Sequence, residues 1–188
     1  MDRSTLDKLI SSTGLIIGIV LLAAAGILVY ASNFIHGQVH DNLVSEKIMF
    51  PAANDASYTS LPATDKTAIA PYVGQQLLTG KQAEVFANHY IAIHLRKIGS
   101  GKTYSELSAE SVANPNDTAL ASKVNTVFRG ETLRGILLNA YAFDTMATVA
   151  RLAALGALIA GGILAILALL GFKHASKVAS KPAAKKRR

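Results

Sequence analysis

The sequence predicts an all-α membrane protein in which two transmembrane helices flank a mainly helical extracytoplasmic domain. Three observations lead there. Of 188 residues, 51% are hydrophobic but only 6% aromatic, the balance expected when apolar spans dilute a small soluble part. Long apolar runs occur twice, at 14–31 and 153–172, and about 18 to 20 helical residues, at ~1.5 Å each, cross the ~30 Å hydrocarbon layer. Between the runs, apolar residues recur at helical spacing and nowhere alternate as a half-buried strand would.

The N-terminus, 1–13, reads as a cytoplasmic or interfacial lead-in. Ser4 can cap a short helix through Leu6, Leu9 and Ile10 that stops at Ser11, Ser12 and Thr13. Arg3 and Lys8 before the first apolar run also resemble the start of a secretory signal peptide, and Val29 with Ala31 offers a cleavage site. The run exceeds the usual h-region of about 7 to 15 residues. Phe34 and Ile35 continue its helical spacing past Ser32 and Asn33, so a retained span at 14–35 is expected.

The extracytoplasmic domain is placed at 36–147. Residues 33–47 continue the first helix or start a juxtamembrane one, and Pro51 ends it. Residues 50–71 hold three of the five prolines and read as an extended or irregular loop. An amphipathic helix is expected over 73–98, carried by Val73, Leu77, Val85, Phe86, Tyr90 and Ile93, broken near Thr79 and Gly80 and stopped by Gly99–Gly101. A shorter segment at 103–113 and a turn at 114–117 precede one long helix running from Thr118 to Phe172, with its span at 148–172. Arg151, at the outer edge of that span, reads as an anchor whose stem snorkels to the interface.

The net charge of +7 sits at one end. Lys173, Lys177, Lys181, Lys185, Lys186, Arg187 and Arg188 carry the tail, 173–188, without an acid among them, whereas 33–144 holds nine basic and ten acidic residues. A polybasic run after a span marks the cytoplasmic side and attracts anionic lipid head groups, so lipid, not nucleic acid, is the expected partner. Both termini are then cytoplasmic in a two-span plasma-membrane protein. The chain has no cysteine, which excludes disulfides, thiolate metal sites and a cysteine nucleophile.

Candidate interaction residues follow from these elements. Gly14 and Gly18 in the first span, and Ala153, Ala157, Gly161 and Ala165 in the second, are small residues at four-residue spacing that let helices approach closely in lipid. They can join the two spans or two subunits. Glu131 and Arg134, three apart, can pair on one helical face; with Asn139 and Asp144 they could line a vestibule or hold a neighbouring subunit. No metal or other cofactor is expected. His36 and His40 share a helical face and come nearest to a metal site, but no carboxylate pair completes one. His94, in apolar context, reads as a packed histidine, and the five-residue offset from His89 turns the two rings apart. Gly99-Ser100-Gly101-Lys102-Thr103 imitates a phosphate-binding loop, yet Arg96 stands where the motif requires its first glycine, and a helix rather than a strand precedes it. A turn after a helix C-terminus is expected instead. Asn116-Asp117-Thr118 matches a glycosylation sequon, a motif too short to weigh.

Several strings carry a resemblance: Glu46-Lys47-Ile48-Met49-Phe50-Pro51, Tyr72-Val73-Gly74-Gln75-Gln76, Gln82-Ala83, Ala87-Asn88, His94-Leu95, Gly101-Lys102-Thr103-Tyr104-Ser105-Glu106 and Gly130-Glu131-Thr132-Leu133-Arg134-Gly135. Together they resemble a family of uncharacterised two-span membrane proteins found mainly in actinobacteria. The resemblance implies a bacterial plasma-membrane protein and brings no activity. Some such relatives are labelled aromatic ring-opening dioxygenases. That chemistry needs two histidines and a carboxylate around Fe(II) in a larger soluble fold, which this layout does not offer. The function expected from the residues is therefore non-enzymatic: a structural or accessory component of a membrane assembly, joined to copies of itself or to other membrane subunits. The alternatives are a subunit of a homo-oligomeric channel or pore and a metal- or ligand-binding sensor using the external histidines.

Overall fold

The computed structural model describes residues 3–179. Among them every named element is helical: α1 (Arg3–Glu46), α2 (Ala56–Thr59), α3 (Ala63–Ile69), a 3-10 turn at Ala70–Tyr72, α4 (Gly80–Val85), a π-helical segment at Phe86–Ile91, α5 (Ala92–Ile98), α6 (Tyr104–Ala113) and α7 (Thr118–Ala179). Two of these, α1 and α7, are long and apolar enough to cross a membrane. Only 11% and 17% of their most apolar windows are buried within the fold, whereas the core helix of a soluble protein would be mostly enclosed.

The chain divides into two compact units: residues up to Asn33 with those from Thr148 onward, and Phe34–Ala147. The first is an antiparallel pairing of the apolar parts of α1 and α7. Its buried positions are Ser11, Gly18, Ala25 and Ser32 on α1, and Ala154, Gly161, Ala168 and Ala175 on α7. Each set repeats every seven residues, the period of a coiled-coil seam, with small residues in place of the usual leucines. A Cβ on Gly161 would stand 3.0 Å from the Gly18 carbonyl oxygen and 3.0 Å from Leu22 Cγ, so side chain is excluded where the helices cross.

No separate lead-in helix precedes the first apolar run. Helix α1 is continuous from Arg3, because the hydroxyl that could have stopped it bonds back along the helix: Ser12 Oγ donates to the Lys8 carbonyl at 2.8 Å. Ser11 is instead a buried member of the seam.

The second unit is built on large side chains. Phe50, Leu61, Ile69, Leu77, Val85, Phe86, Ile91 and Leu95 form its core with Val39, Leu43 and Leu137 from the long helices. Phe50 stands edge-on to Phe86 at 5.1 Å between ring centroids and packs against Tyr72 at 5.3 Å. Phe86 continues through Tyr90 to His94 at 4.8 and 4.4 Å, a ladder of rings that adds to the area each one buries.

Two expectations for this unit are corrected. Residues 50–71 are not one irregular loop, since Asp55 caps α2 by accepting from the Ser57 amide at 2.8 Å and Pro62 precedes α3 as its N-cap. Nor is 73–98 a single helix. Gly74 takes φ +70°, and the following residues run extended, with Phe50 N donating to Gln75 O and Leu77 N to Ile48 O, both at 2.9 Å. The helix begins only at Gly80, where Thr79 and Gln82 form a reciprocal capping box. Helix α1 ends at Glu46 with Lys47 at φ 52°, four residues ahead of Pro51.

Candidate functional site

Glu131 and Arg134 do meet, and they belong to a longer polar chain in the second unit. Arg134 Nη1 donates to Glu131 Oε2 at 3.3 Å and Nη2 to Asn88 Oδ1 at 3.2 Å. Asn88 Nδ2 donates to Glu84 Oε1 at 3.0 Å, and Lys81 Nζ to Glu84 Oε2 at 2.9 Å. The chain ties the segment 81–88 to α7. The Lys81 hydrogen bond holds the Glu84 carboxyl below its ordinary range against the opposing push of burial, and Asn88 helps; Glu84 in turn raises Lys81. Arg134 Nε is buried without a hydrogen-bond partner among the described residues, so one N–H of this guanidinium is left unsatisfied while both Nη atoms are bonded.

A polar cleft of about 190 Å³ opens beside that network, lined in part by Arg96, Lys102, Thr103, Glu131 and Arg134. The loop at its rim is the turn expected after a helix: Gly99 caps α5, Ser100 and Gly101 take positive φ, and Gly101 N donates to the Arg96 carbonyl at 2.8 Å. Lys102 pairs with Glu110 at 2.5 Å, not with a phosphate-binding strand–loop arrangement.

Asn139 is exposed, and Asp144 joins a different set. Asp144 Oδ1 lies 3.6 Å from His36 Nε2. Its carboxylate covers Gly80 at the first turn of α4 so closely that a Cβ there would overlap it. His40 Nδ1 sits 3.1 Å from the Leu78 carbonyl, so the two histidines of the sequence-level metal candidate face different partners. His89 Nδ1 meets Asp65 Oδ1 at 2.8 Å, and His94 Nδ1 meets the Tyr90 carbonyl at 2.8 Å. Among the described residues no three His, Cys, Asp or Glu side chains converge as metal ligands. The Asp65–His89 pair and the Asn88 bridge were not anticipated. The one signal available was an aspartate, Asp65, followed four residues later by Ile69, one helical turn on, in a stretch read as loop.

Of the small residues named from sequence, Gly18 and Gly161 face each other within the chain. Gly14, Ala157 and Ala165 are half-buried beside the seam and Ala153 is exposed, since the contact repeats every seven residues rather than every four. At one end of this pairing Asp7, Ser11, Gly14, Leu164 and His174 border a cavity of about 430 Å³, and Asp7 Oδ2 is buried without a hydrogen-bond partner among the described residues. Lys173 and Lys177 are exposed on the last turns of α7. Lys181, Lys185, Lys186, Arg187 and Arg188 lie outside the described residues.

No known protein family, curated protein or solved structure matches the chain.

Proposed function

We propose that the protein is a non-enzymatic integral membrane protein, with two spans, both termini cytoplasmic and Phe34–Ala147 outside, serving as a structural or accessory component of a membrane assembly. Membership of the actinobacterial two-span family is part of the same proposal. One observation carries the membrane reading: α1 and α7 present long apolar faces that the fold does not enclose, only 11% and 17% of their most apolar windows being buried. Such surface in water would drive association, whereas lipid is its natural solvent.

The accessory role is supported by a second face. Ile136 and Phe143, one heptad apart on α7, are 59% and 53% exposed, beside an apolar cleft of about 370 Å³ lined in part by Val39, Leu43, Leu137 and Ala140. Exposed apolar residues that flank a cleft fit docking by another membrane subunit. A homo-oligomeric pore is favoured less, because the small-residue face that would bring copies together is engaged between α1 and α7 of one chain.

The absence of cysteine makes the test direct. Single-cysteine variants Ser105→Cys and Ser176→Cys would be exposed to a membrane-impermeant maleimide in intact cells. The reading expects retention of the protein in membranes after alkaline carbonate, labelling of Ser105→Cys, and labelling of Ser176→Cys only after permeabilisation. Release by carbonate, or equal labelling at both positions in intact cells, overturns it.

A further inference from the structure

The pairing of α1 with α7 leaves a groove of about 600 Å³ on the first unit. Its floor is made by Ala25 and Ala154, both buried, and by Gly26, whose missing Cβ opens onto empty space. Val29 and Leu155 are exposed along its walls. The groove is apolar except for Arg151, which lines it. Across 14–35 and 148–172 no other Asp, Glu, Lys or Arg occurs. Arg151 is exposed and has no hydrogen bond or ion pair within the described residues.

A lone guanidinium at the end of an apolar trough is poorly matched to hydrocarbon and well matched to a phosphate. An ionisable residue within a span finds a partner as a rule, and guanidinium binds phosphate oxygens with two parallel hydrogen bonds. Small residues on the floor give an acyl chain room to lie along the helix crossing. We infer that this groove holds one anionic phospholipid, its phosphate on Arg151 and an acyl chain over Gly26, Ala25 and Ala154. The inference rests on the membrane reading above. It differs from the lipid contact expected of the basic tail, which is electrostatic alone and lies at the opposite end of the span.

The test uses the full chain in detergent, with phosphatidylglycerol or phosphatidylcholine added and bound lipids counted by native mass spectrometry. One interfacial cation draws an anionic head group by roughly fivefold in affinity. One retained phosphatidylglycerol per chain, preferred by about that factor over phosphatidylcholine, is therefore expected. Arg151→Gln should abolish the preference and Arg151→Lys keep most of it. Gly26→Phe, which enters open space and leaves the charge in place, should displace the lipid. Joint replacement of Lys173 and Lys177 by Gln should leave it bound. An unchanged preference in Arg151→Gln, loss of the lipid only in the Lys173→Gln/Lys177→Gln variant, or a second copy of the chain in place of lipid overturns the inference. Retention of the wild-type protein in carbonate-washed membranes alongside such a result would show the groove assignment failing while the membrane reading stands.

Discussion

The two units use the same pair of long helices in opposite ways. In the first, the buried positions where α1 and α7 meet are glycine, alanine and serine, and many of the large side chains are exposed. In the second, the same helices contribute Val39, Leu43 and Leu137 to a core of phenylalanine, leucine and isoleucine, closed by caps and a polar chain. Burial of large apolar groups is a strong driving force in water. In lipid it vanishes, and close backbone approach between small residues takes its place. On the membrane reading proposed above, the change of chemistry along a single helix follows from a change of solvent.

Side-chain volume should therefore matter with opposite sign in the two units. Phe86→Ala removes the ring between Phe50 and Tyr90 and is expected to cost about 3–5 kcal/mol, read by denaturant unfolding followed through tyrosine fluorescence. Five of the six tyrosines lie within 34–147, so that signal reports on this unit. A cost below about 1 kcal/mol would mean that the aromatic ladder carries little of the core.

In the first unit, enlargement is the damaging change. Gly161→Leu is expected to cost roughly 1–3 kcal/mol through overpacking against Gly18 and Leu22. Leu167→Ala, which trims an exposed side chain, should stay within about 0.5 kcal/mol. The readout is a disulfide between Ser11→Cys and Gly171→Cys in the otherwise cysteine-free chain. A Cβ at Gly171 would lie 3.3 Å from Ser11 Cβ, near disulfide range. Crosslinking should persist with Leu167→Ala and fall with Gly161→Leu. The reverse order would place the functional contact on the leucine face and revive the oligomeric pore.

The long helices and the turn at Gly99–Gly101 were legible because periodicity and glycine act locally. The seam was only half legible. Gly18 and Gly161 are visible as small residues, but their partners Ser11, Ala25, Ala154 and Ala168 stand out only when the period is taken as seven, which depends on a partner helix rather than on one chain segment. The start at Gly80 was readable in Thr79 and Gln82 as a capping box, against the apolar pattern of Val73 and Leu77 that suggested more helix. Those two residues are apolar because they pack from an extended segment, and hydrophobic spacing alone does not separate the two cases. The Glu131–Arg134 pair follows from spacing on one helix. Its continuation through Asn88 to Glu84, 46 residues from Arg134 at its nearest link, is a product of tertiary packing.

The smallest effect concerns the caps that belong to the second unit alone. Thr103 Oγ1 accepts from the Glu106 amide at 3.3 Å, and Glu106 Oε2 accepts from Thr103 N at 2.7 Å. Thr103→Ala should cost about 1 kcal/mol. The backbone hydrogen bond from Thr103 lowers the Glu106 pKa from 4.5, as the Lys81 hydrogen bond lowers that of Glu84. A carboxyl depressed in the folded state stabilises it fully above the unfolded value and ceases to do so as pH falls through the folded one. Unfolding of the tyrosine-rich unit should accordingly become easier below about pH 4.5. Glu106→Gln, which keeps an acceptor but does not titrate, should flatten part of that loss. The Ser11→Cys/Gly171→Cys crosslink in the first unit should not respond, since its buried seam positions carry no carboxylate. Equal acid sensitivity in both would mean that the acid loss does not come from Glu106 and Glu84.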